Sequence, residues 1–434
     1  MKKEIRIGLL GFGTVGTGVW KLLNQNKKLL EERTSVSLKV QKICVKDLKK
    51  KREVSPPREI MTQKAEELLH DPEIDIVVEL MGGIDPAGRY ILEAIAQGKH
   101  VVTANKALLA ERGGAIFSAA REKKVSLGFE ASVAGGIPIL RAIREGFVGN
   151  RIQEIYGIIN GTSNYILSEM TEKGTDFKEV LRQAQEAGYA EQDPSLDIKG
   201  IDAAQKLSIL ISLGYGVEPP QKGIHVEGID RLAPIDFQFA KRLGYAIKLL
   251  AIAKDKGGAG RGDTIEARVH PTMIPRHHPL ADVSGVFNAI FLKGDAVGET
   301  MFLGRGAGMM PSASAVVSDI ARIAKMIAQG IVSDDIPLLR SAEIRPIQDL
   351  TSEYYLRFSV VDKPGSLAQI AKYLGDHQIS ISTVYQEGRD VKVPIVVMTH
   401  EAREANLQKA IEKIDQLEVV LDRTVVVRVE RFEG

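Results

Sequence analysis

The chain begins with a short apolar run, Ile5–Leu10, that stops at a cluster of glycines, as a strand buried on both faces of a parallel sheet does. Apolar positions then recur at helical spacing through Val15, Val19, Leu22 and Leu23. VSLKVQKICV at Val36–Val45 alternates like a strand, and the basic, proline-containing stretch Lys46–Arg58 reads as a loop. A helix over Ala65–Leu69, a strand over Ile74–Leu80, a helix over Ala87–Gln97 and a strand over His100–Ala104 continue the series. Strand and helix alternate at the pace of βαβ units. This predicts an α/β fold, a Rossmann-like doubly wound parallel sheet with helices on both faces, over residues 1–145.

Beyond that point the rhythm changes. Arg151–Asn160 reads as a strand, and a helix begins at Tyr165–Met170. Helices follow at Phe177–Ala187, Ile201–Leu213 and Phe237–Ala253, with strands at Thr264–His270 and Ala289–Leu292. Residues 146–315 are therefore expected to form an α+β domain around a second, mixed sheet. Ser314–Gln329 is a clear helix after a glycine-rich turn, and residues 316–332 are expected to return to the first domain. Residues 333–352, with Pro337 and Pro346, look like a linker. In the last segment, 353–434, strands at Tyr354–Val361, Ile379–Tyr385, Val391–Thr399 and Val419–Val429 frame helices at Ser366–Leu374 and Ala402–Ile414. That βαββαβ order suits a small independent ferredoxin-like domain.

Composition narrows the class without naming a function. The 434 residues suffice for roughly three domains of ~150 residues. An apolar share of 44% and a charged share of 26% are those of a soluble globular chain. A net charge of +2 argues against a nucleic-acid or anionic-membrane surface. The single cysteine, Cys44, excludes an intramolecular disulfide framework and suits a reducing cytoplasm. The apolar run at the N-terminus is short, interrupted by Arg6 and rich in glycine, and is not expected to act as a signal peptide. No uncharged stretch approaches the ~20 residues that span a bilayer.

The glycine cluster, GFGTVG from Gly11 to Gly16, closes a strand and opens a helix. Gly11 permits the tight turn, Gly13 lets backbone approach a pyrophosphate, and Gly16 allows close packing of helix on strand. The free N–H groups and partial positive charge of the helix start then favour phosphates. A dinucleotide site is expected. At the end of the second strand the chain reads ICVKDLKKKR, offering both Lys46 and Asp47. An acidic residue there holds a ribose hydroxyl, whereas a cation accepts a 2′-phosphate. Lys46 comes first and more positive charge follows, which favours NADP with NAD left open.

A second unusual stretch, GYAEQDPSLDIKGIDAAQKL at Gly188–Leu207, interleaves four acids and two lysines with glycine and proline. A solvated helix face and the wall of a polar pocket both fit it. Asp202 lies one helical turn before Lys206, on the same face. Lys106 follows a strand of the first sheet, where ligands of such sheets bind. These residues, with TANK at Thr103–Lys106, EASVAGGIPIL at Glu130–Leu140, NGTSNYIL at Asn160–Leu167 and ETMFLGRGAGMMPSASAVVSD at Glu299–Asp319, resemble homoserine dehydrogenases across nearly all of residues 1–330. The resemblance implies reversible NAD(P)-dependent interconversion of L-homoserine and L-aspartate 4-semialdehyde, in a homodimer or homotetramer. It makes Lys206 the general acid/base with Lys106 as its partner, and puts Glu191, Asp202 and Asp197 at the substrate. Cofactor contacts are implied for Gly11, Phe12, Gly13, Thr14, Val15, Gly16, Lys46, Thr103, Lys106, Gly188 and Gly306. A monovalent cation, sodium, is implied in the loop of Glu130, Val133, Gly135 and Ile137, largely through main-chain carbonyls.

The chemistry agrees with those roles. Oxidising a primary alcohol removes the hydroxyl proton as hydride leaves carbon. A lysine takes that proton only when neutral, and a neighbouring cation such as Lys106 favours the neutral form. Carboxylates suit the substrate ammonium. The C-terminal segment resembles an ACT domain through VVDKPGSLAQI, with Asp362, Gly365 and Ser366 as its regulatory residues. Threonine is the expected ligand, its carboxylate at the Gly365 helix start. Two rivals remain: an aldehyde dehydrogenase working through a thioester on Cys44, and a catalytically silent NAD(P)-binding sensor. His277–His278 lacks a ligand partner at helical spacing and reads as structural.

Overall fold

The structure, a computed structural model, describes residues 2–220, 222–257, 264–331, 339–387 and 390–432. Its first sheet has six strands: Glu4–Leu10, Ser37–Cys44, Met61–Thr62, Ile76–Glu79, His100–Thr103 and Leu127–Gly128. Every pairing is parallel. Their spatial order is third, second, first, fourth, fifth, sixth. The winding therefore reverses between Glu4–Leu10 and Ile76–Glu79, and the crevice at that reversal is where a doubly wound sheet takes a dinucleotide.

One face of this sheet buries Ile5, Ile7 and Leu9 against Val19 and Leu23 of the helix Thr14–Gln25. Ile320, Ile323 and Ala324 of the helix Met309–Gln329 join the same core. That helix packs on the first sheet and starts at Met309, earlier than the sequence pattern indicated. Gly18 makes the approach possible: a Cβ there would stand 2.8 Å from both the Met309 carbonyl and the Ala313 Cβ.

The second sheet is mixed. In spatial order its main strands are Gly298–Arg305, Phe287–Gly294, Ile152–Ile158, Tyr245–Asp255, Thr264–Pro275, Val425–Val429, Thr351–Val361, Lys392–Thr399 and Ile381–Gln386. The helix expected over Phe237–Ala253 is a helix, Pro234–Arg242, followed by the strand Tyr245–Asp255. Gly244, left-handed at φ +84°, makes the break. Ile247 and Leu249–Ala253 are buried, and a continuous apolar run of that kind carries no period to separate strand from helix.

The last four of these strands, with helices Ser366–Asp376 and Glu404–Ile414, form the predicted βαββαβ module. The module is not a separate body. Val425–Val429 pairs in parallel with Thr264–Pro275 through Thr272–Arg428 and Met273–Val429, so one sheet crosses both domains. Along Thr351–Val361 the faces divide by alternation. Tyr354, Leu356 and Phe358 pack on the module's own helices, while Tyr355 and Arg357 bond Asp236 of the middle domain at 2.6–3.1 Å. The linker also leans on the middle domain, since Glu343–Ile344 pairs with Thr264–Ile265. Its residues 333–338, Pro337 included, lie outside the described residues. Among the described residues no helix is long and apolar enough to cross a membrane.

Arg428 pins the junction. Its guanidinium bonds Glu404 at 2.6 and 2.9 Å and Glu227 at 2.8 and 2.9 Å, and Arg428 and Glu404 are both buried. Removing one partner of such a cluster strands the opposing charges, at a cost of about 3–5 kcal/mol. Arg428→Ala is expected to lower the free energy of unfolding by that amount, read as a fall in the urea midpoint at unchanged slope. An unchanged midpoint would mean that the carboxylates regain water when the guanidinium leaves.

Candidate active site

The three glycines of the first turn have different surroundings. Gly11 is left-handed at φ +104°, and a Cβ on it would meet the Leu80 carbonyl at 2.7 Å; it serves the neighbouring strand end as well as the turn. A Cβ on Gly16 would stand 2.8 Å from the Gly11 carbonyl, whereas one on Gly13 would meet nothing within 4 Å. Gly13 thus leaves the open surface that a pyrophosphate needs. It caps the helix Thr14–Gln25 without a side-chain bond, so the first N–H groups remain available. Thr14 is exposed and Val15 half-buried, while Phe12 is buried against the edge of Trp20. The site's shape and donors fit a dinucleotide.

Lys46 is exposed two residues beyond the strand Ser37–Cys44. Asp47 is turned to a local role, its carboxylate accepting from the Lys49 N–H at 2.7 Å. Across the crevice, the buried Glu79 gathers three donors: Thr103 Oγ1 at 2.6 Å and the N–H groups of Met81 and Gly82 at 2.7 and 3.0 Å. Asn105 then caps the helix Lys106–Glu122, accepting from the Leu108 N–H at 3.1 Å. Lys106 is thereby fixed as the first residue of that helix.

Gly200, left-handed at φ +78°, starts the helix Ile201–Tyr215, which carries Asp202 and Lys206 on one face. Lys206 Nζ donates to Asp202 Oδ2 at 2.7 Å and to the Ile159 carbonyl at 2.8 Å. Lys106 Nζ reaches Asp202 Oδ1 at 3.0 Å from the other domain. Asn160 Nδ2 donates to Asp197 Oδ1 at 2.7 Å and to Asp202 Oδ2 at 2.8 Å. Burial works to raise the Asp202 carboxyl, but the charges of Lys206 and Lys106 and the bonds from Lys206 and Asn160 outweigh it. The group is held well below the ordinary carboxylate range.

The geometry adds detail to two sequence expectations. Lys106 and Lys206 share Asp202 as a common counter-ion. The Gly188–Leu207 stretch enters the buried cluster only in part. Asp197, Asp202 and Lys206 belong to the cluster, whereas Glu191 and Asp193 are exposed. Asp193 organises its own turn through the Ser195 N–H at 3.1 Å, and Glu191 lies outside the network. Gly188 is exposed after the helix Phe177–Glu186, left-handed at φ +75°.

The loop from Glu130 to Ile137 turns through two left-handed residues, Ala134 and Gly135. A Cβ on Gly135 would stand 2.5 Å from the Gly306 carbonyl. The Glu130 carboxylate accepts from the N–H groups of Leu140 and Arg141 at 2.8 and 2.9 Å; burial, with Asp319 alongside, pushes it up to about 7. Its side chain is thus committed to the loop. Among the described residues no three His, Cys, Asp or Glu side chains gather as a metal site.

Sequence reasoning assigned no role to Asn160, Asn105 or Glu79. Asn160 and Asn105 each stand immediately before a helix of the structure, Gly161–Lys173 and Lys106–Glu122, and asparagine is a capping signal that a sequence reading can use; nothing local marks Glu79. Cys44 is buried, and burial with Glu66 and Glu67 nearby raises its thiol, the opposite of what a thioester nucleophile needs. His278 stacks on Phe432 at 3.6 Å and accepts from the Leu280 N–H, a structural role.

A dinucleotide crevice joined to a lysine–carboxylate cluster, with a C-terminal ACT module, defines an NAD(P)-dependent oxidoreductase. Family models agree along the chain: the homoserine dehydrogenase NAD-binding domain matches residues 11–130, homoserine dehydrogenase residues 138–321, and the ACT domain residues 354–419. A homoserine dehydrogenase of Synechocystis is 45% identical, covering 98% of this chain and 99% of its own. The crystal structure of one from Thiobacillus denitrificans has a TM-score of 0.90 at 43% identity, covering 99% of each chain. A hyperthermophilic archaeal homoserine dehydrogenase in complex with NADPH has a TM-score of 0.62 at 27% identity, covering 74% of this chain and 97% of that one. The chain belongs to the homoserine dehydrogenase family. Its reaction is the NAD(P)-dependent interconversion of L-homoserine and L-aspartate 4-semialdehyde.

The Asn160 amide can be tested apart from its cap, in which Oδ1 accepts from the Ser163 N–H at 2.8 Å. Asn160→Ser keeps a capping oxygen but removes the donor shared by Asp197 and Asp202. Stability should stay within about 1 kcal/mol, while kcat for homoserine oxidation falls about tenfold. Steady-state kinetics beside thermal melts read both; a loss of stability with unchanged kcat would confine Asn160 to capping.

Proposed function

We propose that Lys206 is the general acid/base and that Asp202 orients it. The carrying observation is that Lys206 Nζ, buried at the domain junction, is held by Asp202 Oδ2 and the Ile159 carbonyl. An ammonium has three donors, so the third remains for the substrate oxygen. When bound, the nicotinamide supplies hydride to the aldehyde carbon, or takes it from the alcohol. In reduction Lys206 gives its proton to the oxygen as the C–O double bond becomes single. In oxidation Lys206 takes that proton back. Lys106, on the other oxygen of Asp202, holds the carboxylate in place; Asp197 and Asp202 form the acidic side facing the substrate ammonium, and Glu191 reaches it from the exposed turn.

NADP is the preferred cofactor in this reading. Lys46 is exposed at the strand end while Asp47 is engaged in its own turn, and the archaeal relative is in complex with NADPH. Sodium sits on main-chain oxygens of Glu130, Val133, Gly135 and Ile137, supported by the paired left-handed residues of that loop. A second copy pairs through the middle domain, whose edge strand Gly298–Arg305 exposes Leu303 and leaves backbone unpaired on its outer side. The enzyme works in the cytoplasm, in threonine and methionine biosynthesis.

Lys206→Ala is expected to lower kcat for NADP reduction with L-homoserine by about 10²–10⁴-fold with NADP affinity nearly unchanged. Near-full activity at neutral pH would remove Lys206 from the role.

Threonine is the regulatory ligand, bound where Gly365 at φ +93° leads into the helix Ser366–Asp376 without a side-chain cap. Because one sheet crosses both domains, a truncation would expose the Thr264–Pro275 edge, so the test uses the full chain. Threonine should inhibit the wild type, and Asp362→Ala, an exposed change, should weaken that inhibition with uninhibited kcat retained. Equal inhibition of both proteins would place the ligand elsewhere.

A further inference from the structure

Glu79 ends the strand Ile76–Glu79 and is fully buried. Its three donors are all neutral, the Thr103 hydroxyl and the N–H groups of Met81 and Gly82. Among the described residues it has no ion-pair partner. A carboxylate taken out of water without a counter-ion is costly. What the charge provides in return is strength and direction in each of the three bonds. The question is what those bonds hold.

Both oxygens lead to the same residue. Oε2 accepts from Thr103 Oγ1, which accepts in turn from the Asn105 N–H at 3.0 Å. Oε1 accepts from Met81 and Gly82, fixing the start of the loop whose Gly83 carbonyl accepts from Asn105 Nδ2 at 2.6 Å. Asn105 is thereby held at its N–H and at its amide nitrogen. Its remaining Oδ1 caps the next helix through the Leu108 N–H. The first residue of that helix is Lys106, whose side chain is 41% exposed and pairs with Asp202 Oδ1. A half-exposed lysine has many rotamers open to it, so the helix start decides where its ammonium can reach.

We propose that Glu79 is a positioning residue of the reaction: through Asn105 it sets the Lys106 ammonium on Asp202, and through Asp202 the orientation of Lys206. The proposal rests on the acid/base reading of Lys206 and Lys106. A staple for the Met81–Gly83 loop would use Oε1 alone. The bond from Thr103 to Oε2 ties the same carboxylate to the start of the Lys106 helix.

The test is a double-mutant cycle on the full-length enzyme. Glu79→Ala, Lys106→Met and the double variant are compared in steady-state oxidation of L-homoserine with NADP across pH. Glu79→Ala should lower kcat about tenfold, and the double variant should fall no further than Lys106→Met alone. Oxidation needs Lys206 neutral, and moving a cation away lets it keep its proton to higher pH. The rising limb of kcat against pH should therefore move upward in Glu79→Ala, as it does in Lys106→Met. Glu79→Gln keeps an oxygen for Met81 and Gly82 but loses the acceptor for Thr103. It should show the same pattern at smaller amplitude, and it carries the cycle if Glu79→Ala does not fold. Losses that multiply in the double variant, or a lower kcat with the limb unmoved, would overturn the proposal and leave Glu79 a loop staple. A Lys106→Met enzyme with wild-type kcat and pH profile would sink the reading of Lys106 itself, and the proposal with it.

Discussion

Taking the Asp202 carboxylate out of water costs several kcal/mol, and the molecule offsets that cost by bringing three donors to it. Lys206 comes from one helical turn later, Asn160 from the end of the strand Ile152–Ile158, and Lys106 from the nucleotide-binding domain. The third matters most for the architecture, because it ties the cofactor side to the substrate side through a charge. Lys106 is positioned by Asn105, which also bonds the Gly83 carbonyl at 2.6 Å. Gly83 lies in the loop whose start is fixed by Glu79. The geometry at Lys206 is thus built back, bond by bond, to the central strands of the first sheet.

On its far side the same helix start rests on a middle-domain segment that the ACT module also contacts. A Cβ on Gly200 would crowd Val226 and Val269 at 3.2 Å, and the Ile229 N–H bonds the Ile198 carbonyl at 3.0 Å. Glu227, between those contacts, takes the Arg428 guanidinium. A cavity of about 910 Å³ opens there, lined by Lys199, Glu227, Arg231, Glu404, Arg423 and Arg428 among others. The turn that carries Asp197 and Asp202 therefore rests on a segment that the ACT module holds by charge. For a ligand of the module to change catalysis it must favour one of two arrangements of this junction. The contacts through which such a preference acts are continuous from Arg428 to Ile198.

How much of this was legible in the sequence follows from the range of each interaction. The first sheet was legible because βαβ units write their period locally, and Gly11, Gly13 and Gly16 mark the turn. Asp202 and Lys206 were legible because four residues along a helix bring side chains together. The strand Tyr245–Asp255 was not, since burial on both faces erases alternation. The continuous second sheet was not either, because the Thr272–Arg428 pairing joins residues far apart in the chain. The intervening position of Asp202 and the donors gathered by Glu79 also depend on tertiary placement alone.

The rival functions can be judged on the same physical grounds. A thioester mechanism needs an exposed, easily ionised thiol, and Cys44 is buried with its thiol raised. A silent sensor needs the glycine turn and the ACT module, but it has no use for a buried ammonium held by a carboxylate and a carbonyl at 2.7–2.8 Å. Such a group is destabilising unless it is fully paired, and the chain devotes Asp202, Asn160 and the Ile159 carbonyl to that end. An apolar side chain at position 206 would pack the junction without any of them. The arrangement suits the proposed role of Lys206, in which a proton is delivered beside the cofactor.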